Sequence, residues 1–256
     1  MSQLSADGDL WCRRYHPAKN ASARLVCLPH AGGSAPFFLP VSAALSPRVD
    51  VVAMQYPGRQ DRRAEKPIGN MTELADRIYE VLRGQPELPV TIFGHSLGAI
   101  VGFEVARRLE AAGNDPVRLF ASGRRGPSTR RDETVHLRDD AGILTEVRRL
   151  NGTASALLSD DELMRAALPA LRADYQVAET YRCPSDVTVD FPITVLTGDA
   201  DPKTTPVEAK AWAAHTMGAF DVHVFRGGHF FLTDHVDAIT KLLGRHFEEE
   251  GVRVAG

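Results

Sequence analysis

Gly94-His95-Ser96-Leu97-Gly98 places a serine between two glycines, directly after the apolar run Val90–Phe93. A helical pattern containing Ile100, Val101, Phe103 and Val105 opens immediately behind it. Alone, a G-x-S-x-G pattern is a weak signal. In a strand–turn–helix setting it describes a tight elbow that lifts a serine hydroxyl above a sheet as a nucleophile. The turn needs glycine on either side because side chains there would meet neighbouring backbone. A helix N-terminus beneath the serine adds positive potential where an oxyanion would form.

A serine nucleophile needs a base, and the base needs an acid to orient it. After the late apolar run Ile193–Leu196 comes Thr197-Gly198-Asp199-Ala200-Asp201-Pro202, and after Val222–Phe225 comes Arg226-Gly227-Gly228-His229-Phe230-Phe231. The order serine, acid, histidine is the one this strand–elbow arrangement supplies. Ser96, Asp201 and His229 are therefore the candidate catalytic residues. Asp199 competes for the acid role; Asp201 has the placement before Pro202, and Asp199 is placed to cap the turn. The competing reading of both loops is a solvated aspartate and an ordinary loop histidine. Upstream, Pro29-His30-Ala31-Gly32-Gly33-Ser34 follows the run Arg24–Leu28, and its glycines leave backbone amides free to face the serine. The amides of Ala31 and Leu97 are the candidate oxyanion donors. No Lys-Ser or Lys-Thr follows these glycines, so a phosphate loop is excluded.

The elements that must hold these residues alternate. Arg24–Leu28, Asp50–Met54, Val90–Phe93, Val117–Ala121, Ile193–Leu196 and Val222–Phe225 read as strands, several solidly apolar as in a sheet covered on both faces. Leu10–Tyr15 is an edge-strand candidate. Met71–Leu82, capped by Asn70 with Glu73 three residues on, Leu97–Ala112, Pro206–His215 and Thr233–Phe247 read as helices. The alternation predicts an α/β fold with a mostly parallel, doubly wound sheet. From about residue 130 to 184 the strand pattern stops and charged helical stretches take over, Asp139–Leu150 and Asp160–Tyr181. Pro169 implies two helices or one kinked there. An insertion of this kind predicts a helical lid on one domain spanning 1–256.

Composition agrees with a soluble globular chain: 256 residues, 43% hydrophobic, 25% charged. A net charge of −3 with interleaved signs argues against nucleic acid. No run reaches the ~20 apolar residues of a membrane span, and the polar N-terminus shows no secretory signal. Cys12, Cys27 and Cys183 are too few and too scattered for a disulfide framework or a metal knuckle, which points to a reducing cytoplasm.

Taken together, Leu28-Pro29-His30-Ala31-Gly32-Gly33, Tyr56-Pro57-Gly58-Arg59, Phe93-Gly94-His95-Ser96-Leu97-Gly98-Ala99, Gly198-Asp199-Ala200-Asp201 and Gly227-Gly228-His229-Phe230-Phe231-Leu232 form a more specific set than the elbow alone. In these motifs the chain resembles the type II thioesterases that accompany modular polyketide and nonribosomal peptide synthases, within the α/β-hydrolase superfamily. The resemblance implies hydrolysis of acyl groups from the phosphopantetheine arms of acyl or peptidyl carrier proteins, which frees stalled or misprimed synthases. It also implies a lid over an acyl pocket. The serine mechanism calls for no metal and no organic cofactor, and a monomer is expected. The alternatives are a small-ester hydrolase, a product-releasing thioesterase, or a silent member of the fold that only binds. Carrier proteins are usually acidic, so docking calls for a local basic patch. Arg59, Arg62, Arg63, Arg124 and Arg125, with Arg130 and Arg131 at the start of the lid, are its candidates.

Overall fold

The computed structural model describes residues 10–151 and 161–251. Seven strands form one sheet in the order β1-β3-β2-β4-β5-β6-β7: β1 Cys12–Arg13, β2 Ala23–Leu28, β3 Val49–Met54, β4 Val90–His95, β5 Arg118–Ser122, β6 Ile193–Gly198 and β7 Phe220–Phe225. All neighbours run parallel except β1, which pairs antiparallel with β3 at the edge. Every residue of β2, β3 and β6 is buried, because helices cover both faces. That is why these strands read as near-continuous apolar runs rather than alternating ones, with Arg24 of β2 and Asp50 of β3 paired to each other at 2.8 Å. Two apolar layers result. One holds Val26, Ile92 and Leu119 against Ile78 and Phe103, and the other holds Leu25, Val51 and Phe93 against Phe38 and Leu243.

The helices follow in chain order as α1 Leu39–Leu45, α2 Met71–Arg83, α3 Leu97–Ala111, α4 Asp140–Asn151, α5 Asp161–Thr180, α6 Pro206–Lys210, α7 Phe231–Asp234 and α8 Val236–Glu249. Asn70 caps α2 as the sequence predicts, its side chain accepting from the Glu73 amide at 3.0 Å. Two readings are corrected. The expected helix Pro206–His215 is α6, opened by a Thr205–Glu208 capping box, running on as a 3-10 turn over Ala211–His215. The expected helix Thr233–Phe247 is two pieces, α7 and α8, parted at His235. Of the two alternatives read for the inserted segment, the structure has the single helix, Asp161–Thr180, with Pro169 inside it on the exposed side. The short α1 and the 3-10 turn Ala35–Phe38 before it were not anticipated. Their sequence signal is a proline near each start, Pro36 and Pro40.

The insertion between β5 and β6 has an apolar cluster of its own. Val135, Ile143, Leu144, Met164, Leu168, Leu171 and Tyr175 pack together as a layer separate from those on the sheet. Chain order along the sheet reverses between β2 and β4: β3 lies outside β2 on one side, and β4 to β7 run out on the other. Such a switch point opens a crevice beyond the strands' C-terminal ends. The loop after β2 and the turn after β4 both arrive there.

Candidate active site

The turn after β4 is built by exclusion. A Cβ on Gly94 would lie 2.1 Å from the Gly98 carbonyl oxygen, and one on Gly98 would lie 2.0 Å from that of Leu28. Only glycine lets α3 start this close to β2 and β4. Ser96, between them, is held at φ 56° and ψ −112°, a left-handed conformation that a non-glycine residue adopts only when its surroundings enforce it. The enforcing bond is the Ser96 amide donating to the Ser122 carbonyl at 2.7 Å.

The three predicted residues meet. His229 Nδ1 lies 2.9 Å from Asp201 Oδ2, and His229 Nε2 lies 2.9 Å from Ser96 Oγ. A carboxylate only accepts, so Nδ1 carries the proton and Nε2 is left to accept from the serine hydroxyl. The other Asp201 oxygen accepts from the Lys203 amide at 2.7 Å, which fixes the carboxylate. Asp199 is exposed and accepts instead from the Gly227 amide at 2.8 Å, pinning the loop that carries His229. The geometry thus gives the two aspartates different partners.

Behind His229 stand two more histidines. The His95 and His229 rings are 5.2 Å apart, and His30 and His95 are 5.9 Å apart. Burial holds His30 down to about 3 and His95 well below the ordinary histidine range, and proximity to His229 adds to both effects. Both are neutral at physiological pH and act as flat aromatic packing, with Phe37 and Phe230 against His30. They shape the bed of His229 without adding a competing charge.

Ala31 and Leu97 line the same cavity as Ser96. Leu97 is the first residue of α3, so its amide has no intrahelical acceptor. The Ala31 loop is tied down by a residue the sequence reading did not single out. Asp174, on α5 and 1% exposed, accepts from the Gly32 amide at 2.7 Å and from Arg59 at 2.7 and 3.0 Å. Arg59 in turn donates to the Gly33 carbonyl at 3.2 Å. One buried ion pair therefore joins lid, Tyr56–Arg59 turn and glycine loop. Its signal was present: Asp174 falls on the stripe Leu171, Tyr175, Ala178, and an acid on an apolar helix face must find a buried partner.

This placement corrects the docking patch. Arg59, Arg62 and Arg125 are all buried. Arg62 is bidentate to Glu65, donates to the Gln55 carbonyl and lies 4.4 Å above the Trp11 ring. Arg125 pairs with Glu133 at 2.7 Å. Arg124 lines the cavity, and Arg131 pairs with Glu208. Only Arg63 and Arg130 of the seven are exposed. The residues do lie near the expected sheet edge, but the lid and loops offer carboxylates and carbonyls that turn the guanidinium groups inward.

A cavity of about 230 Å³ is lined by Ser96 and His229. Its lining includes the apolar Val147, Leu150, Met164, Ala167 and Leu171 and the charged Arg124, Glu133, Glu179 and Lys203. Among the described residues no cluster of three or more His, Cys, Asp or Glu could hold a metal, and no helix is long and apolar enough to cross a membrane. A serine on a strained elbow after β4, with an aspartate after β6 and a histidine after β7 on a mostly parallel sheet, defines an α/β-hydrolase.

Comparison with known proteins narrows this. The thioesterase domain signature matches residues 23–247. A probable cadicidin biosynthesis thioesterase of Streptomyces griseus is 56% identical over 229 residues, 90% of this chain, although the chain spans only 63% of that protein's length. Thioesterase PikA5 of Streptomyces venezuelae is 47% identical over 95% of this chain and 87% of its own. The solved structure of BorB, a type II thioesterase from the borrelidin biosynthetic cluster, superposes with a TM-score of 0.89 at 52% identity, covering 93% of this chain and 98% of that one. The chain belongs to the thioesterase family and is a hydrolase acting on thioesters.

Proposed function

We propose that this chain is a type II thioesterase that removes acyl groups from the phosphopantetheine arms of carrier proteins, clearing stalled or misprimed synthases. The observation that carries the chemistry is the run of two 2.9 Å contacts from Asp201 through His229 to Ser96, with Ser96 and His229 in the lining of the cavity. The likeness to PikA5 and to BorB supports the biosynthetic setting.

In this reading Ser96 Oγ attacks the thioester carbonyl as its proton passes to His229 Nε2. Asp201 holds the imidazole tautomer and stabilises the imidazolium. The Ala31 and Leu97 amides receive the developing oxyanion, each such donor contributing about 3 kcal/mol. The C–S bond then breaks, the pantetheine sulfur leaves with the proton from His229, and the acyl group stays on Ser96 as an ester. A water molecule gives its proton to His229 and its oxygen to the acyl carbon. The serine recovers its proton as the acid departs.

The test is a turnover panel of acyl carrier protein, acyl-CoA and nitrophenyl acyl esters with the wild type and Ser96→Ala. The carrier-bound acyl group should be the preferred substrate. The variant should fold and lose both turnover and covalent labelling by a fluorophosphonate. Labelling of Ser96→Ala at the wild-type level would place the nucleophile elsewhere.

A further inference from the structure

Four charged side chains line the cavity, and three of them are committed to partners. Glu133 is held by Arg125 at 2.7 Å and by Lys203 at 2.8 Å, and Lys203 also pairs with Glu146 at 2.7 Å. Glu179 accepts from the Val135 and His136 amides, both at 3.0 Å, and from the His136 ring. Arg124 is the exception. Its Nη2 donates to the Ala178 carbonyl at 2.9 Å, its Nε is buried without a partner, and no carboxylate pairs with it among the described residues. Its backbone is fixed, the carbonyl accepting from the Trp212 indole at 2.8 Å. Burial and the neighbouring Arg125 pull its pKa down to about 9, which leaves it cationic at neutral pH.

A guanidinium offers five donors, and one that is part-buried with donors to spare is costly unless something in the cavity accepts from it. Its position says where. Arg124 is two residues past Ser122, whose carbonyl holds the Ser96 amide at 2.7 Å, a separation of at most about 7 Å along the chain. The side chain lines the same cavity as Ser96 and His229. The apolar lining with Met164, Ala167 and Leu171 serves the hydrocarbon of a bound acyl group.

We propose that Arg124 determines acyl specificity, its guanidinium donating to an oxygen of the acyl group, an uncharged one because Glu133 and Glu179 line the same cavity, so that 3-hydroxyacyl and 3-oxoacyl chains are preferred to saturated chains of equal length. This rests on the hydrolase reading of the same site. A saturated chain in the cavity offers the donors of Arg124 no acceptor, whereas an oxygen at the third carbon offers one. A hydrogen bond from a charged donor of this kind corresponds to a preference of about 10- to 100-fold.

The experiment compares kcat/KM for butyryl, 3-hydroxybutyryl and 3-oxobutyryl thioesters of N-acetylcysteamine, a thiol that lacks the pantetheine phosphate. The wild type should favour the oxygenated chains by tenfold or more. In Arg124→Met, which keeps an unbranched stem and removes the donors, that ratio should collapse toward one. Equal rates on plain and oxygenated chains in the wild type overturn the proposal even if the variant fails to fold. So does a ratio unchanged in a folded Arg124→Met. A hemimalonyl thioester depending more strongly on Arg124 than the 3-hydroxybutyryl one would reassign the site to anionic acyl groups. Absence of turnover on all of these thioesters removes the hydrolase reading itself, and this inference with it.

Discussion

Replacing Asp174 should damage stability and catalysis by routes that can be separated. The wild-type carboxylate accepts three hydrogen bonds, two from Arg59 and one from the Gly32 amide. Arg59 is 7% exposed. Asp174→Leu therefore leaves a guanidinium buried with the carbonyls of Pro57 and Gly33 and the face of the Tyr56 ring, and no carboxylate among the described residues, against it. Removing one partner of a buried pair costs about 3–5 kcal/mol, and for a chain of this size each kcal/mol lowers Tm by about 2–4 °C. A fall on the order of 10 °C is expected in a thermal melt.

The double variant Arg59→Met, Asp174→Leu removes both charges at once. Apolar groups of similar volume replace a buried pair at little cost, so most of the lost Tm should return. Activity should not return with it, because the Gly32 amide and the Gly33 carbonyl still lack their anchors beside Ala31. We expect kcat at least about tenfold below wild type with KM nearly unchanged, the pattern of a misplaced oxyanion donor. Recovery of both Tm and kcat would show that the ion pair is structural only. A double variant as unstable as Asp174→Leu would refute the buried-charge argument from which the magnitude was worked.

Three further outcomes follow from the same geometry. Asp201→Asn should cut kcat by orders of magnitude through the wrong His229 tautomer, while Asp199→Asn, which touches only the Gly227 amide, should change it little; reversed ranks in a steady-state assay would move the acid role to Asp199. Gly98→Ala, which would force a Cβ to within 2.0 Å of the Leu28 carbonyl oxygen, should abolish the folded elbow, so a soluble, active variant would contradict the packing described. His246, buried against Thr91, is held down to about 4 chiefly by burial and secondarily by Arg118. Its folded pKa lies below the unfolded 6.5, so its contribution is present above pH 6.5 and is lost as pH falls toward 4, at about 1.4 kcal/mol per pH unit. Denaturant unfolding between pH 7.5 and 4.5 should show a shallower acid loss in His246→Gln than in wild type, and parallel curves would refute it.

How much of this was legible depended on whether the cause was local. The elbow could be read because its constraint is steric and confined to five residues: Gly94 and Gly98 leave no room for a Cβ, whatever lies beyond. The parallel strands could be read because burial on both faces leaves an apolar run. Breaks such as the one at His235 were not legible, since Thr233–Phe247 keeps a helical period across it. The arginines mark the deeper limit. Position in a loop at the sheet's C-terminal edge does not say which way a long side chain turns, and the answer lay 115 residues away for Arg59, in Asp174. Had the acid on the apolar stripe of α5 been given its due, its need for a buried cation would have pointed inward to an arginine of this group. Charge on an apolar face is information about a partner, and in this chain that partner holds the loop on which the proposed oxyanion site depends.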